Sequence, residues 1–277
     1  MAQHIAIIGD GAMATASAML ISQACIARVR MWSAFEEHVR EMASSGENRR
    51  FLPGVPLPKG MAVSADAAEV AAGADFIIVA VPSPYLRDVL ARIAPALEGD
   101  APVVSVVKGI ENETLMRPSE IIGELLGPRP VCVLSGPCLA AEIARGLPAT
   151  AVAAAEDENV ARSVQEIYTT ERFRVYTNTD VVGVELGGAL KNVIAIAAGI
   201  CDGLEMGDNT KAALLTRGLA EITRLGVAMG ARAETFMGLS GMGDLVTTCA
   251  SALSRNHRVG SAIGKGRKLS EILGEME

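Results

Sequence analysis

Gly9-Asp10-Gly11-Ala12-Met13-Ala14 is the stretch that decides the fold of the first half of the chain. It follows a continuous apolar run, Ile5–Ile8, and opens a segment of small residues that continues to Cys25. This order predicts a buried strand, a tight turn and a helix. Glycines in such a turn permit the bend and let a pyrophosphate approach the free N–H groups of the helix N-terminus. The stretch therefore predicts a dinucleotide site, and the alternative is a tight turn without a ligand.

Short apolar runs and helical segments alternate through the rest of this half. Further strands are predicted at Arg28–Trp32, Phe76–Val81, Val103–Val107, Val131–Leu134 and Ala149–Ala154, with Arg172–Tyr176 as one more candidate. Helices are predicted between them at Glu36–Ala43, Leu86–Leu97 and Pro118–Leu126. This repetition predicts an α/β fold over residues 1–178, a doubly wound (Rossmann) parallel sheet with helices on both faces.

The pattern changes after Thr179. Val184–Gly199 and Lys211–Met229 are long helical segments with no strand between them. We therefore predict an all-helical, substrate-binding domain over residues 179–277. Because ligand sites favour domain interfaces, the active cleft is expected between the two domains.

Composition limits the partners of the chain. The 25 Lys and Arg residues against 32 Asp and Glu residues give a net charge of −7, which lacks the basic footprint of a nucleic-acid-binding protein. The five cysteines are scattered and the three histidines show no ligand spacing, so no metal site is expected and a reducing, cytoplasmic location is predicted. Lys191 interrupts the most apolar window, Val181–Ile200, so no membrane span is expected.

Two polar groups follow predicted strands. Lys108 comes directly after Val103–Val107, and Ser135-Gly136-Pro137-Cys138 comes directly after Val131–Leu134. Ligands bind at the carboxyl edge of a doubly wound sheet, so both groups are candidate site residues. The alternatives are a solvated surface lysine and an ordinary Gly-Pro turn.

The choice between NAD and NADP stays open. A carboxylate that selects NAD is expected about 20 residues after the glycine turn. Trp32, Ser33 and Ala34 stand there, and they provide neither an acid nor an arginine for a 2′-phosphate. Asp10 is compatible with a pyrophosphate only if its side chain points away.

Charged residues in the helical half form two further candidates. Lys191 lies in a nearly all-apolar segment, where burial lowers the pKa of a lysine and can make it a general base. The alternative is a lysine that reaches out to solvent. Ser254-Arg255-Asn256 follows a loop that contains Asp244, and its guanidinium fork suits phosphate oxygens. The alternative is a solvated helix start.

Taken together, these residues resemble the bacterial-type NAD(P)-dependent glycerol-3-phosphate dehydrogenases. The matching stretches run in order along almost the whole chain: Phe51–Gly54, Lys108–Glu111, Ser135–Glu142, Gly183–Gly203, Thr216–Glu221, Thr235–Leu245 and Ser254–Gly260. The set in the helical half is long and specific. The resemblance implies interconversion of sn-glycerol 3-phosphate and dihydroxyacetone phosphate by hydride transfer with NADP or NAD, feeding phospholipid synthesis.

The resemblance also implies a role for each candidate residue. Lys191 would be the catalytic acid/base, Lys108 would polarise the same C2 oxygen, and Asp244 would position the substrate or Lys191. The substrate-binding set would comprise Lys108, Gly136, Cys138, Lys191, Asp244, Ser254, Arg255 and Asn256. The cofactor-binding set would comprise Gly9, Gly11, Ala12, Met13, Ala34, Lys108, Ala140 and Arg255.

Several positions depart from the family pattern. Ala12, Met13 and Ala14 replace the usual Ser, aromatic and Gly of the phosphate turn, Ala34 replaces a basic residue, and Cys138 replaces Ser or Thr. The sequence ends at Glu277, before the family's V-x-E-G-x segment, so an incomplete helical domain with exposed apolar faces is expected. Such faces favour a homodimer.

These departures leave two alternatives to an active dehydrogenase of this family. One is a non-catalytic or weakly cofactor-binding homologue with a regulatory or oligomerising role. The other is a reductase for a different small 2-hydroxyacid or ketone.

Overall fold

The computed structural model describes residues 4–25, 27–97 and 99–275. The chain forms two compact units, the first ending at Val181 and the second beginning at Val182. The sheet belongs to the first unit, and the second unit is helical.

The first unit is built on one eight-stranded sheet with the strand order β3-β2-β1-β4-β5-β6-β7-β8. The strands are β1 (His4–Ile8), β2 (Arg28–Trp32), β3 (Ala62–Ser64), β4 (Phe76–Val79), β5 (Val103–Ser105), β6 (Val131–Ser135), β7 (Ala149–Ala154) and β8 (Phe173–Asn178). All neighbouring pairs are parallel except β6 and β7. The predicted doubly wound fold is confirmed.

Helices cover both faces of this sheet. They are α1 (Ala12–Ala24), α2 (Glu36–Ser45), α3 (Ala67–Ala71), α4 (Leu86–Ile93), α5 (Pro118–Leu126), α6 (Ala140–Ala144) and α7 (Glu158–Tyr168). Ile5 and Ile7 of β1 pack into one apolar core with α1 and α7, whereas Ala6 and Ile8 pack into a second core with α4 and α5. Alternate residues of one strand therefore serve opposite layers, which explains the uninterrupted apolar run.

Two features of the sheet differ from the prediction. The three-residue β3 has no apolar run and was not predicted. The antiparallel direction of β7 contradicts the expectation of a parallel sheet throughout. The helix between β6 and β7 is the five-residue α6, about 8 Å long. Such a helix is too short to carry the chain back along β6, a five-residue strand about 16 Å long.

The second unit consists of helices α8 (Val181–Gly203), α9 (Gly207–Ala228), α10 (Ala233–Phe236), α11 (Asp244–Ala250), α12 (Arg255–Gly264) and α13 (Leu269–Gly274). A wide helical turn, Leu239–Gly243, leads directly into α11. Within the described residues, α8 is the one helix long and apolar enough to span a membrane, and half of its most apolar window is buried in the protein. A buried core helix passes the same test, so this is weak evidence for a span.

Candidate active site

The glycine turn after β1 has the geometry of a phosphate-binding loop. Gly9 adopts a φ of +116°, and a Cβ there would lie 2.6 Å from the carbonyl oxygen of Ala80. Gly11 caps α1 without a side-chain hydrogen bond, and a Cβ on it would meet no atom within 4 Å. The first turn of α1 carries no acidic residue. Open space therefore lies over a helix N-terminus with free N–H groups, which fits the pyrophosphate of a dinucleotide.

Four other predicted cofactor positions lie around the same sheet. Ala12 and Met13 are the first two residues of α1, and Met13 packs against the core on one face. Ala34 follows β2 and packs against the core on the opposite face, whereas Ala140 begins α6. The roles of these four residues in binding the cofactor therefore stay predictions.

Lys108 and the Gly136 turn meet beyond the ends of β5 and β6. The Lys108 Nζ donates a 2.8 Å hydrogen bond to the carbonyl oxygen of Gly136. Gly136 has a φ of +144°, and a Cβ there would lie 3.1 Å from the Cα of Ala151. The Cys138 thiol donates to the carbonyl oxygen of Thr150 at 3.4 Å. The fold therefore brings two of the predicted groups into direct contact at one edge of the sheet.

Lys191 is buried in the second unit and pairs with Asp244. The Lys191 Nζ lies 2.5 Å from Asp244 Oδ1, and the two side chains are 8% and 3% exposed. Its ammonium does not reach out to solvent, so the surface alternative for this lysine is wrong. The neighbouring carboxylate favours the charged ammonium, which opposes the effect of burial.

Thr248 is a member of this cluster that the sequence analysis missed. The Lys191 Nζ also donates to the Thr248 hydroxyl at 2.5 Å, and that hydroxyl donates to the backbone carbonyl of Asp244 at 2.6 Å. Asp244 and Thr248 lie four residues apart on α11, so they share one face of the helix. This spacing was the available signal. The ammonium is therefore held by two side chains from one helical turn.

Ser254, Arg255 and Asn256 form the start of α12. Ser254 is the N-cap, and its hydroxyl accepts a 3.2 Å hydrogen bond from the backbone N–H of His257. Arg255 is exposed and Asn256 is half-buried, as the first two residues of the helix. A helix N-terminus that also carries a guanidinium is suited to a phosphate group.

Glycines pack α12 directly on α8, the helix that carries Lys191. A Cβ on Gly199 would lie 2.1 Å from the carbonyl oxygen of His257, and one on Gly260 would lie 2.0 Å from that of Ile196. Gly203 and Gly264 make the same kind of contact one turn further along. The two helix backbones therefore touch, which fixes the start of α12 relative to α8.

A charged network reinforces this contact. His257 Nε2 lies 2.7 Å from Asp202 Oδ2, and Lys211 Nζ lies 2.6 Å from Asp202 Oδ1. Burial alone would raise the pKa of Asp202, but the hydrogen bonds from Lys211 and His257 outweigh it and lower the pKa below its ordinary value. Asp202 thereby links α8, α9 and α12.

These features define a class of protein, the two-domain dehydrogenases that use a nicotinamide dinucleotide. Two family models match the chain: NAD-dependent glycerol-3-phosphate dehydrogenase N-terminus over residues 4–161, and the corresponding C-terminus over residues 180–277. The chain belongs to the NAD-dependent glycerol-3-phosphate dehydrogenase family, whose members are oxidoreductases. The predicted family, enzyme class and NAD or NADP cofactor are confirmed.

Relatives match along the whole chain. A glycerol-3-phosphate dehydrogenase (NAD(P)+) of Geobacter sp. (strain M21) is 54% identical over 279 residues, covering 100% of this chain and 83% of the relative. One from Sphingopyxis alaskensis is 48% identical, covering 100% and 82%. The crystal structure of the Coxiella burnetii glycerol-3-phosphate dehydrogenase matches with a TM-score of 0.95 at 38% identity, covering 99% of this chain and 84% of that one.

Proposed function

We propose that the chain interconverts sn-glycerol 3-phosphate and dihydroxyacetone phosphate with NAD(P), and that the product serves glycerophospholipid synthesis. The observation that carries the proposal is the buried ion pair between Lys191 of α8 and Asp244 of α11, together with the glycine contacts that hold α8 against α12, the helix with the phosphate-suited start. A proton donor on α8 and an anion site at the start of α12 are thereby held by two helices that pack directly on each other. In the proposed division of labour, residues 1–178 supply most of the cofactor contacts and residues 179–277 supply most of the substrate contacts.

Lys191 is assigned the proton transfer at the C2 oxygen. When bound, the nicotinamide supplies or accepts the hydride at C2. In the direction of reduction, the Lys191 ammonium donates a proton to the C2 oxygen; in the direction of oxidation, its neutral amine accepts that proton. Asp244 and Thr248 hold the amine in place. Lys108 stabilises negative charge on the same oxygen.

The remaining predicted residues are assigned to binding. Ser254, Arg255 and Asn256 hold the substrate phosphate, and Gly136 and Cys138 contact the substrate. The turn from Gly9 to Met13 binds the pyrophosphate. Lys108, Arg255, Ala34 and Ala140 complete the cofactor contacts.

The proposal is tested by following NADH and NADPH oxidation with dihydroxyacetone phosphate, beside calorimetric titration of each dinucleotide. Turnover with this substrate is expected. Dinucleotide binding without turnover would indicate the non-catalytic homologue that Ala12, Met13 and Ala34 suggested. Turnover with unphosphorylated dihydroxyacetone at equal efficiency would indicate a different ketone reductase.

Location and assembly are also proposed. The chain is assigned to the cytoplasm because it is acidic and its described cysteines form no disulfide. A homodimer is proposed because large apolar side chains are exposed on α13, at Leu269 and Leu273, and directly after α10, at Met237. Light scattering after size-exclusion chromatography measures the assembly.

Replacing Arg255 by lysine is expected to raise the KM for dihydroxyacetone phosphate by at least about tenfold, with a smaller effect on kcat, because a point charge does not reproduce bidentate binding of phosphate. Because Arg255 is also assigned to the cofactor contacts, the variant is expected to lose some affinity for NAD(P)H. Arg258→Lys, the same change one turn along α12 at another exposed position, is the matched control and should leave KM unchanged. An unchanged KM in Arg255→Lys would remove the arginine from the phosphate site.

A further inference from the structure

Asp10, the middle residue of the glycine turn, points towards the end of β2. Its Oδ2 accepts hydrogen bonds from the Ser33 hydroxyl at 2.6 Å and from the His38 Nδ1 at 3.0 Å. Ser33 directly follows β2 and is fully buried, and the Asp10 side chain is only 15% exposed. The carboxylate therefore lies beside the position where dinucleotide-binding sheets usually place an acidic residue from β2. Both hydrogen bonds use Oδ2, so Oδ1 is used by neither.

The backbone of Asp10 is anchored as well. The side-chain amide of Asn48 donates to the Asp10 carbonyl at 2.7 Å and to the Thr15 hydroxyl at 2.8 Å. The backbone N–H of Gly9 donates to the carbonyl of Trp32 at 3.0 Å. The carboxylate therefore has little freedom to turn away from its place beside β2.

The hydrogen bonds also assign the charge around this carboxylate. Arg50 Nη1 contacts the Nε2 of His38. A guanidinium can only donate, so Nε2 accepts and the proton of a neutral imidazole lies on Nδ1, facing Asp10. His38 thus orients Asp10 without cancelling its charge. Arg50 acts from the far side of the imidazole ring.

We infer that Asp10 accepts a hydrogen bond from the 2′-hydroxyl of the adenosine ribose and makes the chain select NAD over NADP. The inference rests on the proposed function for the presence of a dinucleotide in the site. A ribose diol can donate to a carboxylate, whereas a 2′-phosphate would bring two like charges together. The acidic residue that selects NAD therefore lies in the phosphate-binding turn. It does not lie at the end of β2, where such a residue is usually expected.

The test is the ratio of the two dissociation constants, Kd(NADPH)/Kd(NADH), measured by calorimetry on the full chain at one pH and ionic strength. Because of the like-charge repulsion, the wild-type ratio is expected to be at least about tenfold. Asp10→Asn should reduce this ratio by about tenfold, mainly through tighter binding of NADPH. Tighter binding of NADPH than of NADH by the wild type, or an unchanged ratio in Asp10→Asn, would overturn the inference.

Two variants serve as controls. Glu37→Gln removes the same charge from an exposed position of α2, and the ratio should stay at the wild-type value. If it changed as much as in Asp10→Asn, the selection would be a general effect of net charge and the inference would fail. Arg50→Gln should not weaken NADPH binding selectively; a selective loss would mean that the guanidinium binds a 2′-phosphate.

The wild-type chain supplies a test that does not depend on the folding of a variant. 5′-AMP should displace NADH, and adenosine 2′,5′-bisphosphate should be at least about tenfold weaker, because it places a phosphate beside Asp10. Equal or stronger displacement by the bisphosphate contradicts the inference. NADH-selective binding without turnover of dihydroxyacetone phosphate would overturn the proposed function alone. NADPH-selective turnover would overturn only this inference.

Discussion

Replacing Lys191 by alanine is expected to lower kcat by about 10²–10⁴-fold, the range over which a positioned proton donor contributes to catalysis. The Kd of NADH should change little, because the phosphate-binding turn and Asp10 lie in the first unit. Stopped-flow or steady-state oxidation of NADH with dihydroxyacetone phosphate measures kcat, and calorimetry measures Kd.

The alanine variant also loses stability, because Asp244 is left buried without its partner. Removing one member of a buried ion pair typically costs about 3–5 kcal/mol. Lys191→Arg is therefore the matched control: it keeps a cation beside Asp244 but remains protonated at every working pH. We expect kcat to fall in both variants and the free energy of unfolding to fall mainly in Lys191→Ala. Near-normal kcat in Lys191→Arg would show that Lys191 supplies charge and transfers no proton.

The sheet was largely predictable because its strands are buried on both faces. A strand such as β1 needs apolar residues at successive positions, and that run is visible in the sequence without any knowledge of its neighbours. The edge strand β3 has no such requirement and shows no such run. The direction of β7 could not be predicted from the sequence for a different reason. Ala149–Ala154 would be equally apolar in a parallel or an antiparallel pair.

A site residue could be predicted from the sequence where a charged side chain interrupts an apolar segment. Lys191 interrupts an apolar helix, and a charge in that position requires a partner. The identity of the partners required the tertiary fold, because Asp244 and Thr248 follow Lys191 by more than 50 residues. The orientation of Asp10 likewise depends on Ser33 and His38, which become its neighbours only when β1 and β2 pair.

The contact between α8 and α12 leads to the second large effect. Gly199→Ala is expected to destabilise the second unit by more than about 3 kcal/mol, beyond the usual cost of overpacking. The added methyl group would lie 2.1 Å from the His257 carbonyl oxygen and 2.8 Å from the Ser261 nitrogen. Both are backbone atoms, so no side-chain rotation relieves the clash and α12 must shift as a whole.

Gly123→Ala provides the opposite control for Gly199→Ala. Gly123 lies inside α5, and a Cβ there would meet no atom within 4 Å, so the same substitution should stabilise the chain by about 0.5–1 kcal/mol. Denaturant unfolding measures both changes. Because Arg255 and Asn256 begin the helix that Gly199 contacts, the Gly199→Ala variant should also show a raised KM for dihydroxyacetone phosphate. The part of NADH binding that the first unit supplies should be retained, and only the contribution of Arg255 should be lost. Equal stability in the two variants would contradict the backbone contact between α8 and α12. A lowered stability of Gly199→Ala with an unchanged KM would show that this contact does not affect binding of the substrate phosphate.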